Sequence, residues 1–278
     1  MYSRFFNLRE EPFSMTPDPR FLFLSAQHEA AIESLLYGIR QRKGFMTLTG
    51  EVGTGKTTIC RELINRLDKD IEIAVILNPL LSVFGLLKAI NTDFGNKVRG
   101  KTVEEQLDGL HRFLISQAQK SHNAVVLIDE AQNLSVEALE TVRLLSNLET
   151  DTQKLLQIIL VGQPELENTL QSYRLRPLNQ RISIRHHLGT LNLSETHNYI
   201  MHRLLCAGGD GQVSFENKAI RRLHLYSGGF PRLINILCDR SLLEAYARRV
   251  HTVNKSVVKE ALRDVKLRPI EPWWRRLF

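Results

Sequence analysis

GEVGTGKT (Gly50–Thr57) stands between FMTLT (Phe45–Thr49), a short apolar and β-branched run, and TTICRELINRL, in which Ile59, Leu63, Ile64 and Leu67 recur at helical spacing. A strand, a glycine-rich loop and a helix in that order are the setting in which Gly-x-x-x-x-Gly-Lys-Thr holds phosphate. The glycines let backbone N–H groups curl around the phosphates, and the helix N-terminus adds its partial positive charge. Gly50, Glu51, Val52, Gly53, Thr54, Gly55, Lys56, Thr57 and Thr58 are therefore the candidate nucleotide-binding residues. Lys56 is expected to reach the terminal phosphates of ATP, and the Thr57 hydroxyl to ligate Mg2+.

Moving outward, EIAVILN (Glu72–Asn78) reads as a second strand and NAVVLIDEA (Asn123–Ala131) as a third. The third is too apolar to alternate, as expected of a strand buried on both faces. It ends in Asp129, placed to hold Mg2+ through water or Thr57, and Glu130, placed to activate an attacking water. Cleavage of a γ-phosphate also needs a polar group at the end of the neighbouring strand and arginines against the developing charge. Gln163, closing LLQIILVGQ, fits the first role, and Asn78 at the tip of EIAVILN is a candidate for holding Glu130 inactive until a partner arrives. Arg174, Arg176 and Arg181 in SYRLRPLNQRI are candidates for serving a neighbouring subunit's ATP, and Arg232 in GGFPRLIN for acting on its own.

RISIRHHL supplies a fifth strand, and the intervening segments are helical, with Ser82 and Thr102 as N-caps. Strands alternating with helices define an α/β fold with a five-stranded parallel sheet and helices on both faces. From Leu193 the pattern changes to four helical segments without an intervening strand. The expected division is a nucleotide-binding domain over 1–192, a small helical domain over 193–267 and a tail over 268–278.

The bulk properties fit this division. The chain has 278 residues, 43% hydrophobic and 24% charged, the composition of an ordinary globular protein. Residues 191–278 carry 15 Lys+Arg against 8 Asp+Glu, whereas residues 1–190 carry 22 of each, so the net charge of +7 lies at one end. That excess reads as a solvated basic surface or as a surface for something acidic. Cys60, Cys206 and Cys238 are too scattered for a CxxC site and are expected to be buried thiols. No window reaches the roughly 18 apolar residues of a membrane-spanning helix, and MYSRFFNLREEPF lacks the apolar stretch of a signal peptide, so the segment is expected in the cytoplasm.

Taken together, GEVGTGKTT, LIDEAQNL, LVGQPEL, LNQRI and GGFPRLIN resemble the motifs of the AAA+ ATPases. The opening YSRFFNLREEPFSMTPDPRFLFLSAQHEAAIESLLYGI narrows the resemblance to the ExeA type, over roughly Met1 to Leu267. By that resemblance Gly50 to Thr58 are Walker A, Asp129 and Glu130 Walker B, Gln163 the sensor 1 position and Arg232 the sensor 2 arginine of the GxPR pattern. Gln163 departs from the Asn that is common at sensor 1. Arg181 sits where a trans-acting arginine finger is expected, with Arg176 the runner-up. The segment around Phe13, Pro19, Phe21 and His28 matches the portion that packs near adenine, although such aromatic spacing also suits a plain core clamp, the reading favoured here.

The resemblance implies a homo-oligomer, dimer or ring, assembled with ATP. It also implies a B-type secretion partner and a role in installing the secretin of type II secretion. Members of this type continue into a membrane-spanning helix and a periplasmic peptidoglycan-binding domain. RPIEPWWRRLF, with Trp273, Trp274, Arg275 and Arg276, reads as a juxtamembrane junction, so the expectation is the cytoplasmic portion of an inner-membrane protein. Two other roles share the architecture: a DNA-binding transposition-helper ATPase, which the basic C-terminal segment suits, and an ATPase for pilus biogenesis.

Overall fold

Apolar strands flanked by amphipathic helices close into one parallel sheet in the computed structural model, which describes residues 2–16, 18–149 and 153–265. The first half runs α1 (Tyr2–Phe5), α2 (Ala26–Arg40), β1 (Phe45–Gly50), α3 (Lys56–Asn65), β2 (Ile71–Ile76), α4 (Val83–Asp93), α5 (Val103–Gln119) and β3 (Asn123–Ile128). There follow α6 (Val136–Leu145), β4 (Gln157–Gly162), α7 (Pro164–Leu170), α8 (Arg176–Asn179) and β5 (Ile182–Leu188). The remainder is α9 (Leu193–Cys206), β6 (Ser214–Phe215), α10 (Asn217–Ser227), α11 (Pro231–Ala247), β7 (Thr252–Val253) and α12 (Lys255–Val265). These elements form two compact units, Ala26–Leu188 and a second that unites the segment up to Ser25 with that from Gly189 onward.

The α/β unit is as the sequence predicts. Its strands lie parallel in the order β2-β3-β4-β1-β5. Every residue of β1, β3 and β4 is buried, because helices cover both faces. Val126, Ile128, Ile158 and Leu160 join one core with Leu86, Leu110 and Leu139 of α4, α5 and α6. The capping predictions hold: Ser82 Oγ accepts from Gly85 N at 3.1 Å, and Thr102 and Glu105 form a reciprocal capping box.

The second unit differs from the expectation in two ways. Ser214–Phe215 and Thr252–Val253 form a two-stranded parallel ribbon among the helices, where an all-helical segment is expected. Two-residue strands carry no readable alternation. The N-terminal segment, expected beside the nucleotide domain, buries Tyr2, Phe6, Leu8, Phe13 and Phe21 in the same core as Ile200 and Leu204 of α9, Ile234 and Leu237 of α11, and Val257 and Val258 of α12. Phe13 and Phe21 are thus core residues of this unit.

Arg203 on α9 fastens that arrangement. It is buried, its Nε and Nη2 donate to the carbonyls of Pro12 and Ser14, its Nη1 to the Tyr199 hydroxyl, and its guanidinium lies 4.9 Å from the Phe21 ring centroid. The buried cation is satisfied by neutral acceptors and an aromatic face rather than by a carboxylate. Of the cysteines, Cys60 and Cys238 are buried as expected, whereas Cys206 is only half-buried. The tail 268–278, with Trp273 and Trp274, lies outside the described residues.

Phe6 is fully buried in this core. Phe6→Ala should therefore lower the unfolding free energy of the helical unit by about 3–5 kcal/mol, read by urea titration of its helical signal. An unchanged midpoint would mean that the N-terminal segment is an appendage.

Candidate nucleotide site

The sheet order decides which loops meet. Parallel strands present their C-terminal ends on one edge, and β4 lies between β1 and β3 in register, Thr49 opposite Gly162 and Ile128 opposite Leu160. The loops after β1, β4 and β3 therefore emerge side by side, the position at which open parallel sheets bind ligands.

The loop after β1 turns through Gly53 and Gly55, at φ 84° and 106°, values that favour glycine. Gly55 caps α3 without any side-chain hydrogen bond, unlike Ser82, Thr102, Ser135 and Asn192 on α4, α5, α6 and α9. The first-turn N–H groups of α3 are left for an anion. Inside the loop, Thr54 Oγ1 donates to the Glu51 carbonyl at 2.8 Å, and Lys56 Nζ donates to the carbonyls of Gly50 and Glu51 at 2.7 and 3.0 Å. Burial pushes the Lys56 ammonium below its ordinary pKa, while Glu130, Asp129 and Glu51 push back. Glu51, Val52, Thr57 and Thr58 are exposed at the loop and helix start. His28 of α2 is buried behind the loop with Nε2 3.1 Å from the Thr54 carbonyl.

The loop after β3 brings the second half. Thr57 Oγ1 donates to Asp129 Oδ2 at 3.1 Å, which sets a hydroxyl beside a carboxylate, both hard oxygen donors. That pair fits Mg2+, which takes one or two protein oxygens and completes its shell with phosphate and water. Glu130 follows in a left-handed conformation, φ 53°, unusual for a residue with a Cβ and typical of functional sites. Its amide donates to Asp129 Oδ1 at 2.9 Å, and its Oε2 accepts from Gln132 Nε2 at 2.5 Å and from Gln163 Nε2 at 3.4 Å. Thus the structure brings Lys56, Thr57, Asp129, Glu130 and Gln163 together on one edge of the sheet, with Gln132, which the sequence reading missed, beside Glu130 and His28 behind the glycine loop.

Other candidates lie apart. Asn78 is exposed after β2, and its side-chain oxygen faces Leu80 N at 3.4 Å, an Asx-type turn, while the Glu130 carboxylate is bonded by the two glutamines instead. Arg181 Nη1 donates to Ser146 Oγ at 2.9 Å and to the Asn147 side chain at the end of α6. Arg174 and Arg176 are exposed, and their side chains make no hydrogen bond or ion pair among the described residues. Arg232 is exposed in the first turn of α11, in the helical unit. Among the described residues no three His, Cys, Asp or Glu side chains cluster as a metal cage, and no helix is long and apolar enough to cross a membrane.

This fold is that of the AAA P-loop NTPases, and the AAA domain family matches residues 39–170. The chain is 46% identical over 256 residues to general secretion pathway protein A of Aeromonas hydrophila, an alignment that covers 91% of this chain and 46% of that protein. It therefore spans about half the length of this relative. Among solved structures, it superposes on Cdc6p of Pyrobaculum aerophilum with TM-score 0.67 and 18% identity, covering 91% of this chain and 70% of that one. For ORC2 of Aeropyrum pernix the TM-score is 0.65 at 19% identity over 92% and 71%. The RuvB branch migration motor of Thermotoga maritima gives 0.56 at 20% over 87% and 70%. These likenesses show the fold.

An alanine Cβ at position 55 would sit 2.9 Å from His28 Nε2 on a backbone at φ 106°. Gly55→Ala should weaken nucleotide binding about five- to thirtyfold, since left-handed backbone costs a residue with a Cβ about 1–2 kcal/mol. Calorimetric titration with ATP checks this, and wild-type affinity would refute the loop geometry as the binding determinant.

Proposed function

We propose that this chain is a Mg2+-dependent ATPase module of a general secretion pathway. The observation that carries the reading is the convergence of Lys56, Thr57, Asp129, Glu130 and Gln163 on one edge of the sheet. Lys56 and the open N-terminus of α3 bind the phosphates, and Thr57 and Asp129 hold Mg2+, which neutralises phosphate charge. Glu130 takes the proton of the attacking water, and Gln163 orients that water or the γ-phosphate. Arg232 contributes as the sensor 2 arginine.

The relative's name supports the secretion setting. In it the module forms an ATP-dependent dimer or ring at the cytoplasmic face of the inner membrane and drives secretin assembly with a B-type partner. An arginine from one subunit completes the site of the next. Arg181 is held by Ser146 and Asn147 within its own chain, so the unpaired Arg176 is the better poised of the two.

Glu130→Gln should bind Mg-ATP with wild-type affinity and lose at least about 100-fold in kcat, the scale of a general-base deletion. Phosphate release and equilibrium binding measured together test it, and normal turnover would remove Glu130 from the mechanism. Arg176→Ala should bind ATP normally yet lose turnover, with activity restored on mixing it with Glu130→Gln subunits, each supplying what the other lacks. No complementation would place the finger elsewhere.

One observation favours a second reading, a DNA-associated ATPase. Lys218, Arg221, Arg240, Arg249, Lys255 and Lys259 on or beside α10, α11 and α12 are exposed and free of ion pairs among the described residues. Duplex DNA bound at physiological salt with a steep salt slope, and stimulating turnover, would establish it in place of secretion.

A further inference from the structure

Gln132 is the polar side chain that nothing above accounts for, and its amide is oriented at both ends. Its Oε1 accepts the backbone N–H of Gln163 at 3.1 Å, which forces its amino group the other way, onto Glu130 Oε2 at 2.5 Å. Gln163 Nε2 approaches the same carboxylate oxygen at 3.4 Å. Glu130 Oε1 accepts no hydrogen bond among the described residues. Gly162 leaves room for this bridge, because a Cβ there would lie 2.8 Å from Gln132 Oε1.

We propose that Gln132 is a positioning residue that locks the Glu130 carboxylate to the end of β4, fixing one oxygen as the anchor and presenting the other to the attacking water. The inference rests on Glu130 being the base of the hydrolysis proposed above. A carboxylate on a left-handed residue with a rotatable side chain has several orientations of similar energy. Two donors on one oxygen select one of them, and because one donor is itself pinned by the Gln163 amide, any shift of that strand end is passed to the base. The bridge therefore couples the sensing position to the catalytic carboxylate through a single side chain.

The test is steady-state turnover and ATP binding for wild type, Gln132→Ala, Glu130→Gln and the double variant, with thermal melting to confirm folding. Gln132→Ala should lose about 100-fold in kcat, the scale of a misplaced catalytic group, with KM and ATP affinity within about twofold of wild type. Added to Glu130→Gln it should cause no further loss, because it acts through that carboxylate. Gly162→Ala, which alters no polar group, should reproduce the kcat loss by displacing Gln132. Wild-type kcat in Gln132→Ala while Glu130→Gln is inactive would overturn the positioning role alone, as would a loss that multiplies in the double variant. Full turnover in Glu130→Gln would overturn the hydrolysis reading and this inference together.

Discussion

Parallel pairing of β4 between β1 and β3 is the constraint on which the site depends. It brings Gly50, Gln163 and Asp129 to one edge although more than a hundred residues separate the first two in sequence. A parallel ladder requires long crossovers, and here they carry the helices that cover the sheet. The continuous burial of β1, β3 and β4 is the same requirement seen from the core: the strands must be apolar on both faces because the crossovers cover both. Precision at the site is thus inherited from the sheet, whose neighbouring strands cannot slide without breaking register.

On that edge the polar groups stand in unusual local settings. α3 begins with no side-chain cap, Lys56 is buried against carbonyls, and Glu130 holds a backbone conformation that ordinary residues avoid. The starts of α4, α5 and α6, by contrast, are capped by Ser82, Thr102 and Ser135.

The five strands, the glycine loop and the carboxylates of Asp129 and Glu130 were legible because each has a local signature: an apolar run, a motif of fixed spacing, a charge at a strand end. Gln132 was not, since a glutamine after DEA looks like any polar loop residue until the neighbouring strand is placed beside it. The ribbon of Ser214–Phe215 and Thr252–Val253 was too short to show a period. The aromatic residues Phe13 and Phe21 announced burial but not its partner, because hydrophobicity carries no address and the contacts they make lie nearly the whole chain away. Asn78 had the composition of a switch residue and the environment of a turn.

The contact of Arg203 with the carbonyls of Pro12 and Ser14 has a consequence for biosynthesis. The segment around Pro12 and Ser14 finds its partners only when α9, α11 and α12 have been made, because the whole α/β unit stands between them in sequence. Throughout that interval Phe5, Phe6, Phe13 and Phe21 stand without a core, a nascent segment exposed to aggregation or to capture by a chaperone. The helical unit is thereby completed only after the α/β unit has been made, from segments that flank it on both sides.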